Sequence, residues 1–317
     1  MRAFLWFLAA LCAAALIGAA LAYPVFELVR QLGGPWPFHR IANRVTLLAL
    51  IGVLVVFCRR LGLTRPRDFG YALPWPRFLR VALLFWLIGA VSAALGAAFL
   101  IGTHLRLWAQ PAELGRVSLW LRWLLTGLGS GIAVALLEET VMRGALHTAI
   151  ARESGPIAAA LCTAPLFALL HFYAHTTIAP QLLGPGSGFV LLGAFFSPWA
   201  DPEHVVDAFL GWLAIGLILS VTRIWTGNIA AALGLHAGWV LILRMLQLAT
   251  VPGTGGSYAA WVGRFDGLLG YWLLPWAAAL MLALALCRSV WVPYARATRG
   301  ASSAMPSSRS TGSLNSR

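Results

Sequence analysis

The chain contains no lysine: all 23 of its basic residues are arginine, and they accompany only ten acidic residues. Charged residues make up 10% of the 317 positions, whereas 60% are hydrophobic, and the mean hydropathy is +0.81. This composition excludes an ordinary soluble domain. We attribute the net charge of +13 to arginine-rich genome composition and expect no nucleic-acid partner.

Cysteine is equally sparse. Four cysteines lie singly in separate apolar runs, at Cys12, Cys58, Cys162 and Cys287. No pair has C-x-x-C spacing, which excludes a zinc knuckle and a redox motif. We therefore interpret these cysteines as small buried apolar residues. The sequence also lacks an internal repeat.

Long apolar runs are abundant, and several exceed the ~18 residues typical of a transmembrane helix. They predict an all-α integral membrane protein, a polytopic bundle of about eight transmembrane helices within a membrane domain at 1–294. The predicted spans are 4–29, 41–58, 79–102, 119–146, 156–173, 205–222, 228–248 and 271–292. The remainder, 295–317, is rich in Ser and Arg and predicts a disordered cytoplasmic tail.

Arginine placement predicts the orientation of the spans. Six arginines lie in the segment 59–80 and more lie in the tail, whereas the segment 174–204 has none. Because cytoplasmic loops carry excess arginine, we expect a multi-pass protein of the plasma membrane with both termini in the cytoplasm. The first span could alternatively be a signal peptide cleaved near Ala20-Leu21-Ala22, which would leave seven spans; we favour a retained helix.

Two adjacent glutamates, Glu138 and Glu139, end the apolar run that begins at Leu119. A carboxylate at hydrocarbon depth costs roughly 2.5–3.5 kcal/mol on insertion scales. Helix phase places Arg143 about 40° from Glu139 and about 140° from Glu138. We therefore predict an ion pair of Glu139 with Arg143, which leaves Glu138 free to act. The alternative is that both glutamates belong to a helix-stabilising polar cluster.

The next span supplies a partner for Glu138. Gly155-Pro156 breaks the chain, so the fourth and fifth spans should form an antiparallel hairpin. At ~1.5 Å rise per residue, Glu138 and His171 then lie about 25 Å from the turn, at the same depth. The seventh span adds His236 between small residues. Glu138 could act as a general base on water with help from the histidines, or the three residues could ligate a metal such as Zn²⁺; both remain open.

At these residues the chain resembles the CPBP intramembrane proteases, which include type II CAAX prenyl endopeptidases and bacteriocin-processing, Abi-like proteins. Its Glu138–Gly144 segment is similar to their E-E-x-x-x-R-G motif, and Phe167 with His171 is similar to F-x-x-x-H. His236 stands where the third motif, H-x-x-x-N or H-x-x-x-D, would fall, after Asn228.

The resemblance covers about 120–245 and implies a helical bundle with the catalytic cavity inside it. It implies catalytic roles for Glu138, His171 and His236, with these three as ligands if a metal is present. Glu139, Arg143, Phe167 and Asn228 would support the site.

One position departs from the family. Val240 replaces the usual Asn or Asp and cannot donate a hydrogen bond to an oxyanion, for which Asn228 is the nearest substitute. The leading function is hydrolysis of membrane-anchored or lipidated peptides. Arginine-only usage suggests a bacterial source, where a prenylated substrate is not expected. The alternatives are a non-catalytic immunity or regulatory protein and a proton-coupled transporter, which would require repeated halves that we do not find.

Overall fold

The computed structural model describes residues 1–110, 113–172, 177–253, 260–263 and 265–296. This part of the chain is an all-α membrane bundle. The helices are α1 (Arg2–Gln31), α2 (Phe38–Arg60), α3 (Trp75–Gly102), α4 (Val117–Glu139), α5 (His147–Leu170), α6 (Ser187–Ala194), α7 (Val206–Thr226), α8 (Ala230–Ala249), α9 (Leu273–Leu286) and α10 (Arg288–Ala295). A π-helical segment, Thr140–Leu146, joins α4 to α5 without a break.

Short elements close the ends of the bundle. Strands β1 (Arg106–Trp108) and β2 (Thr250–Pro252) form an antiparallel pair in which Leu107 faces Val251. Single 3₁₀ turns occupy Pro66–Phe69, Pro180–Leu182, Ser197–Ala200 and Pro202–His204. The strand pair ties the end of α3 to the end of α8.

Large apolar side chains cover the outside of the long helices. Leu83, Leu95, Leu125 and Ile157 are each more than half exposed. Such an apolar exterior suits a lipid environment, where a helix also satisfies all of its backbone hydrogen bonds internally. The chain is therefore a multi-pass membrane protein.

Glycines let α8 pack closely against α3 and α4. A Cβ placed on Gly89 of α3 would lie 2.5 Å from the Leu235 carbonyl oxygen, and one on Gly131 of α4 would lie 2.6 Å from that of Ala237. Small residues at such crossings allow helix backbones to approach within membranes. The close contact places α8, and with it His236, in the centre of the bundle.

Six helices among the described residues are long and apolar enough to cross a membrane, or seven if α9 and α10, which meet at 77°, count as one span. One of the six is the stretch Val117–Leu170, which contains both predicted spans 119–146 and 156–173. Gly155 interrupts it with φ +86° and ψ 164°. The two sides of that break lie against each other, so the difference from eight predicted spans concerns how this stretch and the bent pair are counted.

Both ends of the described chain lie at the end of the bundle that holds the Gly155 break. The Met1 amino group is 2.8 Å from Glu153 Oε2. Asp68, from the arginine-rich 59–80 segment, accepts a 2.6 Å bond from Arg152. The Asn228 amide donates to the Ala295 carbonyl. The predicted tail at 295–317 lies outside the described residues beyond Arg296.

Candidate active site

Glu138 and Glu139 have opposite surroundings. Glu139 is the last residue of α4 and is fully buried, while the Glu138 side chain is 32% exposed. Since adjacent helical residues point about 100° apart, one glutamate faces the bundle interior and the other a partly open space. The π-helical segment follows at once; such segments are frequent at functional sites.

Glu139 and Arg143 form the predicted ion pair. Arg143 Nη1 donates to Glu139 Oε1 at 3.0 Å, and both side chains have no exposed surface. Arg143 Nη2 donates to the Gly216 carbonyl of α7 at 3.1 Å, and its guanidinium lies 4.3 Å from the centre of the Phe167 ring. The pair thus joins α4 to α5 and α7.

His236 is bonded to Glu139, a contact that sequence reasoning did not predict. Its Nδ1 donates to Glu139 Oε1 at 2.9 Å, and its side chain is 4% exposed. Glu139 Oε1 therefore accepts from both Arg143 and His236, while Glu139 Oε2 has no hydrogen-bond partner in the described structure. The Glu139 carboxylate thus binds the side chains of both Arg143 and His236.

Glu138 and His171 meet across the hairpin, as predicted. Glu138 Oε2 lies 3.9 Å from His171 Nε2. An unbroken helix would separate these residues by about 50 Å, so the Gly155 break brings them together. His171 Nδ1 donates to the Phe167 carbonyl at 2.7 Å, which leaves Nε2 as an acceptor facing Glu138. A water molecule within about 2.8 Å of both atoms would bridge this gap.

Aromatic rings hold His171 in place. Trp212 of α7 stacks on the imidazole with ring centres 3.7 Å apart, and the Phe167 ring centre is 4.4 Å away. Phe167 also makes an edge contact with His236, at 5.9 Å. Trp212 was not foreseen, because the sequence offers no signal that distinguishes it from the other fourteen tryptophans.

An apolar cavity of about 70 Å³ lies beside the site. Trp212, His236, Trp239 and Val240 contribute to its wall, with apolar residues of α3 and α9. Val240 thus lines the same space as His236, one helical turn further along α8. At this position the resemblance expects Asn or Asp, but the apolar side chain of Val240 faces the cavity.

Asn228 lies away from the catalytic candidates. Its Oδ1 accepts the Ala230 N–H at 2.9 Å, and its Nδ2 donates to the carbonyls of Thr226 and Ala295. The residue satisfies the N–H of the first residue of α8 and binds the last residue of α10. Because its donors are already engaged there, the expectation that Asn228 substitutes as an oxyanion donor is not supported by its position.

The described residues contain no group of three or more His, Cys, Asp or Glu side chains placed to hold a metal. His236 directs its Nδ1 at Glu139, and His171 directs its Nδ1 at a carbonyl. These bonds engage only Nδ1 and leave the Nε2 atom of each histidine for a ligand. The three-ligand set of Glu138, His171 and His236 stays a prediction, and we derive no step through a metal.

Residues 116–242 match the family described as Type II CAAX prenyl endopeptidase Rce1-like. No curated protein matches the chain, and no solved structure matches it. The matched segment begins just before α4 and ends within α8, so it contains Glu138, Glu139, Arg143, His171 and His236.

Proposed function

We propose that Glu138 and His171 activate the water of a membrane-embedded endopeptidase, in keeping with the resemblance to CPBP and CAAX proteases that the family match bears out. That match supports a CAAX-type intramembrane endopeptidase in general. The observation that carries the finer proposal is the 3.9 Å approach of Glu138 Oε2 to a His171 Nε2 whose ring is fixed by its Nδ1 bond and by Trp212.

Glu138 and His171 act on the same water molecule. Both Glu138 and His171 Nε2 accept its protons, which orients a lone pair towards the substrate carbonyl carbon. As that bond forms, Glu138 takes a proton from the water. The same proton then passes to the amine that leaves when the peptide bond breaks, so Glu138 ends as it began.

His236 is the remaining group for the oxyanion. Glu139 holds its Nδ1, so Nε2 is the atom free to approach a ligand. In its doubly protonated form the ring donates from Nε2 to the carbonyl oxygen, which gains negative charge during attack. Glu139, Arg143 and Phe167 act by fixing His236 and His171 rather than by touching the substrate.

The substrate class follows from the apolar surroundings. The cavity beside His236 has room for one small apolar side chain, and lipid-facing helices surround the site. We therefore propose membrane-anchored or lipidated proteins and peptides as substrates, cleaved near the cytoplasmic face of the plasma membrane. Arg77, in the arginine-rich segment, donates to the carbonyls of Pro293 and Tyr294, and Met1 contacts Glu153 next to Arg152, which pairs with Asp68 of that segment. These contacts place both described ends beside the arginine-rich segment and support this orientation.

The proposal can be tested by detecting the carboxyl terminus that peptide-bond cleavage creates. Membrane-anchored peptides would be incubated with the purified protein in H₂¹⁸O, and mass spectrometry would locate the cut and count the ¹⁸O atoms. We expect one ¹⁸O in each new carboxyl terminus, with cleavage lost in Glu138→Gln and His171→Phe. Glu113→Gln is the matched control, because Glu113 forms an exposed ion pair with Arg116.

Three results would change the assignment. If cleavage continued in a correctly folded Glu138→Gln protein, Glu138 would not be the base. If chelation abolished cleavage and added Zn²⁺ restored it, a metal would take part. Val240 is the feature that favours a non-catalytic protein of the same fold, and unchanged biological activity in Glu138→Gln and His171→Phe would establish that reading.

A further inference from the structure

A second polar cavity lies between α5 and the end of α7, near the Gly155 break. Its volume is about 280 Å³, and His147, Thr148, Arg152, Pro156 and Arg223 line it with a few neutral residues. None of its lining residues, all of them in the described part of the chain, carries a carboxylate. The cavity is therefore a concentration of hydrogen-bond donors and positive charge.

His147 supplies an unpartnered polar atom. The residue is 3% exposed, and its Nδ1 has no hydrogen-bond partner within the described structure. A buried polar atom without a partner is unfavourable, and His147 contributes to the cavity wall, so a ligand bound there could supply a hydrogen bond that the protein leaves unmade. The proposed peptidase mechanism makes no use of His147.

Arg223 supplies charge that is not neutralised. Its Nε donates to the Arg143 carbonyl at 3.0 Å, and its Nη2 is 3.4 Å from Thr148 Oγ1. Both acceptors are neutral, and none of the ion pairs among the described residues includes Arg223. Arg152 differs, since Asp68 pairs with it and its side chain is half exposed.

The local backbone adds to the positive potential. Gly155 has non-helical angles, so a new helical run begins at Pro156, which lines the cavity. The first N–H groups of a helix lack internal partners and favour an anion, and this run continues to Leu170. The imidazole of His147, the guanidinium of Arg223 and the start of this helical run thus border the same cavity.

We propose that this cavity is a binding site for a phosphate group. A phosphate presents several acceptor oxygens, which suits donors on different sides, and a guanidinium matches its geometry. The group would come either from a phospholipid headgroup at the bundle end or from a soluble phosphate. The cavity also borders the candidate active site, because Arg223 donates to the Arg143 carbonyl and the Arg143 side chain pairs with Glu139.

The binding test requires phosphate-free conditions, because phosphate from the buffer would compete with the added ligands. The full chain would be purified in a maltoside detergent without phosphate. Inorganic phosphate and short-chain phosphatidylglycerol would then be titrated separately, with binding followed by thermal shift and by native mass spectrometry. We expect saturable binding that weakens about tenfold in Arg223→Gln and in His147→Phe. Arg80→Gln is the control, because it removes the same charge from an exposed arginine outside the cavity.

Comparison of the two ligands shows whether the bound phosphate group belongs to a phospholipid or to a soluble molecule. Binding of inorganic phosphate supports the site for a soluble ligand, and binding of phosphatidylglycerol alone supports a headgroup site, provided that both cavity variants weaken it. Should Arg223→Gln fail to fold, His147→Phe and Thr148→Val decide the matter. Absence of binding to both ligands, or equal binding by the wild type and the cavity variants, would overturn the proposal.

Discussion

The His236 imidazole donates from Nδ1 to Glu139 Oε1 at 2.9 Å, and the same oxygen accepts from Arg143. The second glutamate of the pair therefore organises the site, while the first faces His171 across 3.9 Å. Because Glu138 and Glu139 have different roles, replacing each of them should have a different effect.

Glu138→Gln should abolish cleavage but leave stability unchanged, because Glu138 is partly exposed and makes no buried ion pair. The expected loss in kcat is about 10²–10⁴-fold. Glu139→Gln should instead destabilise the fold by about 3–5 kcal/mol, since it leaves the buried Arg143 charge unpaired. Unfolding in mixed detergent micelles and a peptide cleavage assay measure the two effects; equal destabilisation by both variants would contradict this division.

Val240→Asn should raise turnover. Val240 lines the cavity that His236 faces, and an amide there could donate to the developing oxyanion. One oxyanion donor is worth about 10²–10³ in kcat when removed, so a gain of at least about tenfold is expected. Val240→Leu is the control for shape. The idea fails if the asparagine and leucine variants show the same kcat.

Gly144→Ala should destabilise the protein by about 1–3 kcal/mol, because a Cβ at this position would lie 2.6 Å from the Phe69 carbonyl oxygen. Gly129→Ala is the matched control, since Gly129 is also helical and a Cβ there meets nothing within 4 Å. Gly129→Ala should be neutral or stabilising by up to about 1 kcal/mol. Thermal melts of the two variants in the same detergent compare them directly.

Asn228→Ala should loosen the end of the bundle without a direct effect on chemistry. It removes the hydrogen bonds to the Ala230 N–H and to the Ala295 carbonyl, for an expected loss of about 1–3 kcal/mol. Limited proteolysis should then cut more readily near α10, with kcat of the folded fraction unchanged. A fall in kcat at full stability would instead place Asn228 in the reaction.

Stability should also depend on pH through Asp266, which precedes α9 outside the spanning helices. The residue is exposed as a whole, but desolvation of its carboxyl raises the pKa of that group above the ordinary value of 3.8, and Asp207 adds to the rise. A raised pKa in the folded state means that the folded protein binds the proton more tightly. This contribution to stability is therefore lost as the pH rises from 3.8 through the pKa of the folded state.

Asp266→Asn removes the charge and keeps an oxygen for the Leu268 and Leu269 N–H groups, which Asp266 Oδ1 accepts. Melting temperatures of the wild type and this variant should converge at acid pH and separate towards neutral pH, with the variant more stable. Asp201→Asn, at an exposed residue, controls for charge. Parallel curves for the wild type and Asp266→Asn would show that Asp266 contributes nothing to the pH dependence.

Local rules explain why much of the fold could be predicted. Apolar runs long enough to cross a bilayer mark the helices. The four-residue spacing of Glu139 and Arg143 predicts their ion pair, because helix phase depends only on sequence separation. Gly155-Pro156 predicts the hairpin, and equal distances from that turn predict the meeting of Glu138 with His171.

Contacts between distant helices could not be predicted in this way. Whether His236 reaches Glu138 or Glu139 depends on the rotation and sliding of α8 against α4, which glycine contacts such as that of Gly131 with Ala237 decide. The stacking of Trp212 on His171 and the diversion of Asn228 to Ala295 depend on the same interhelical packing.

The sequence by itself therefore determined the membrane class, the hairpin and the identity of the polar side chains buried within it. Only the tertiary structure decided how those side chains are paired. The physical reason is that a helix fixes the geometry of its own residues through backbone hydrogen bonds. The relation between helices is set instead by the packing of many side chains far apart in the chain.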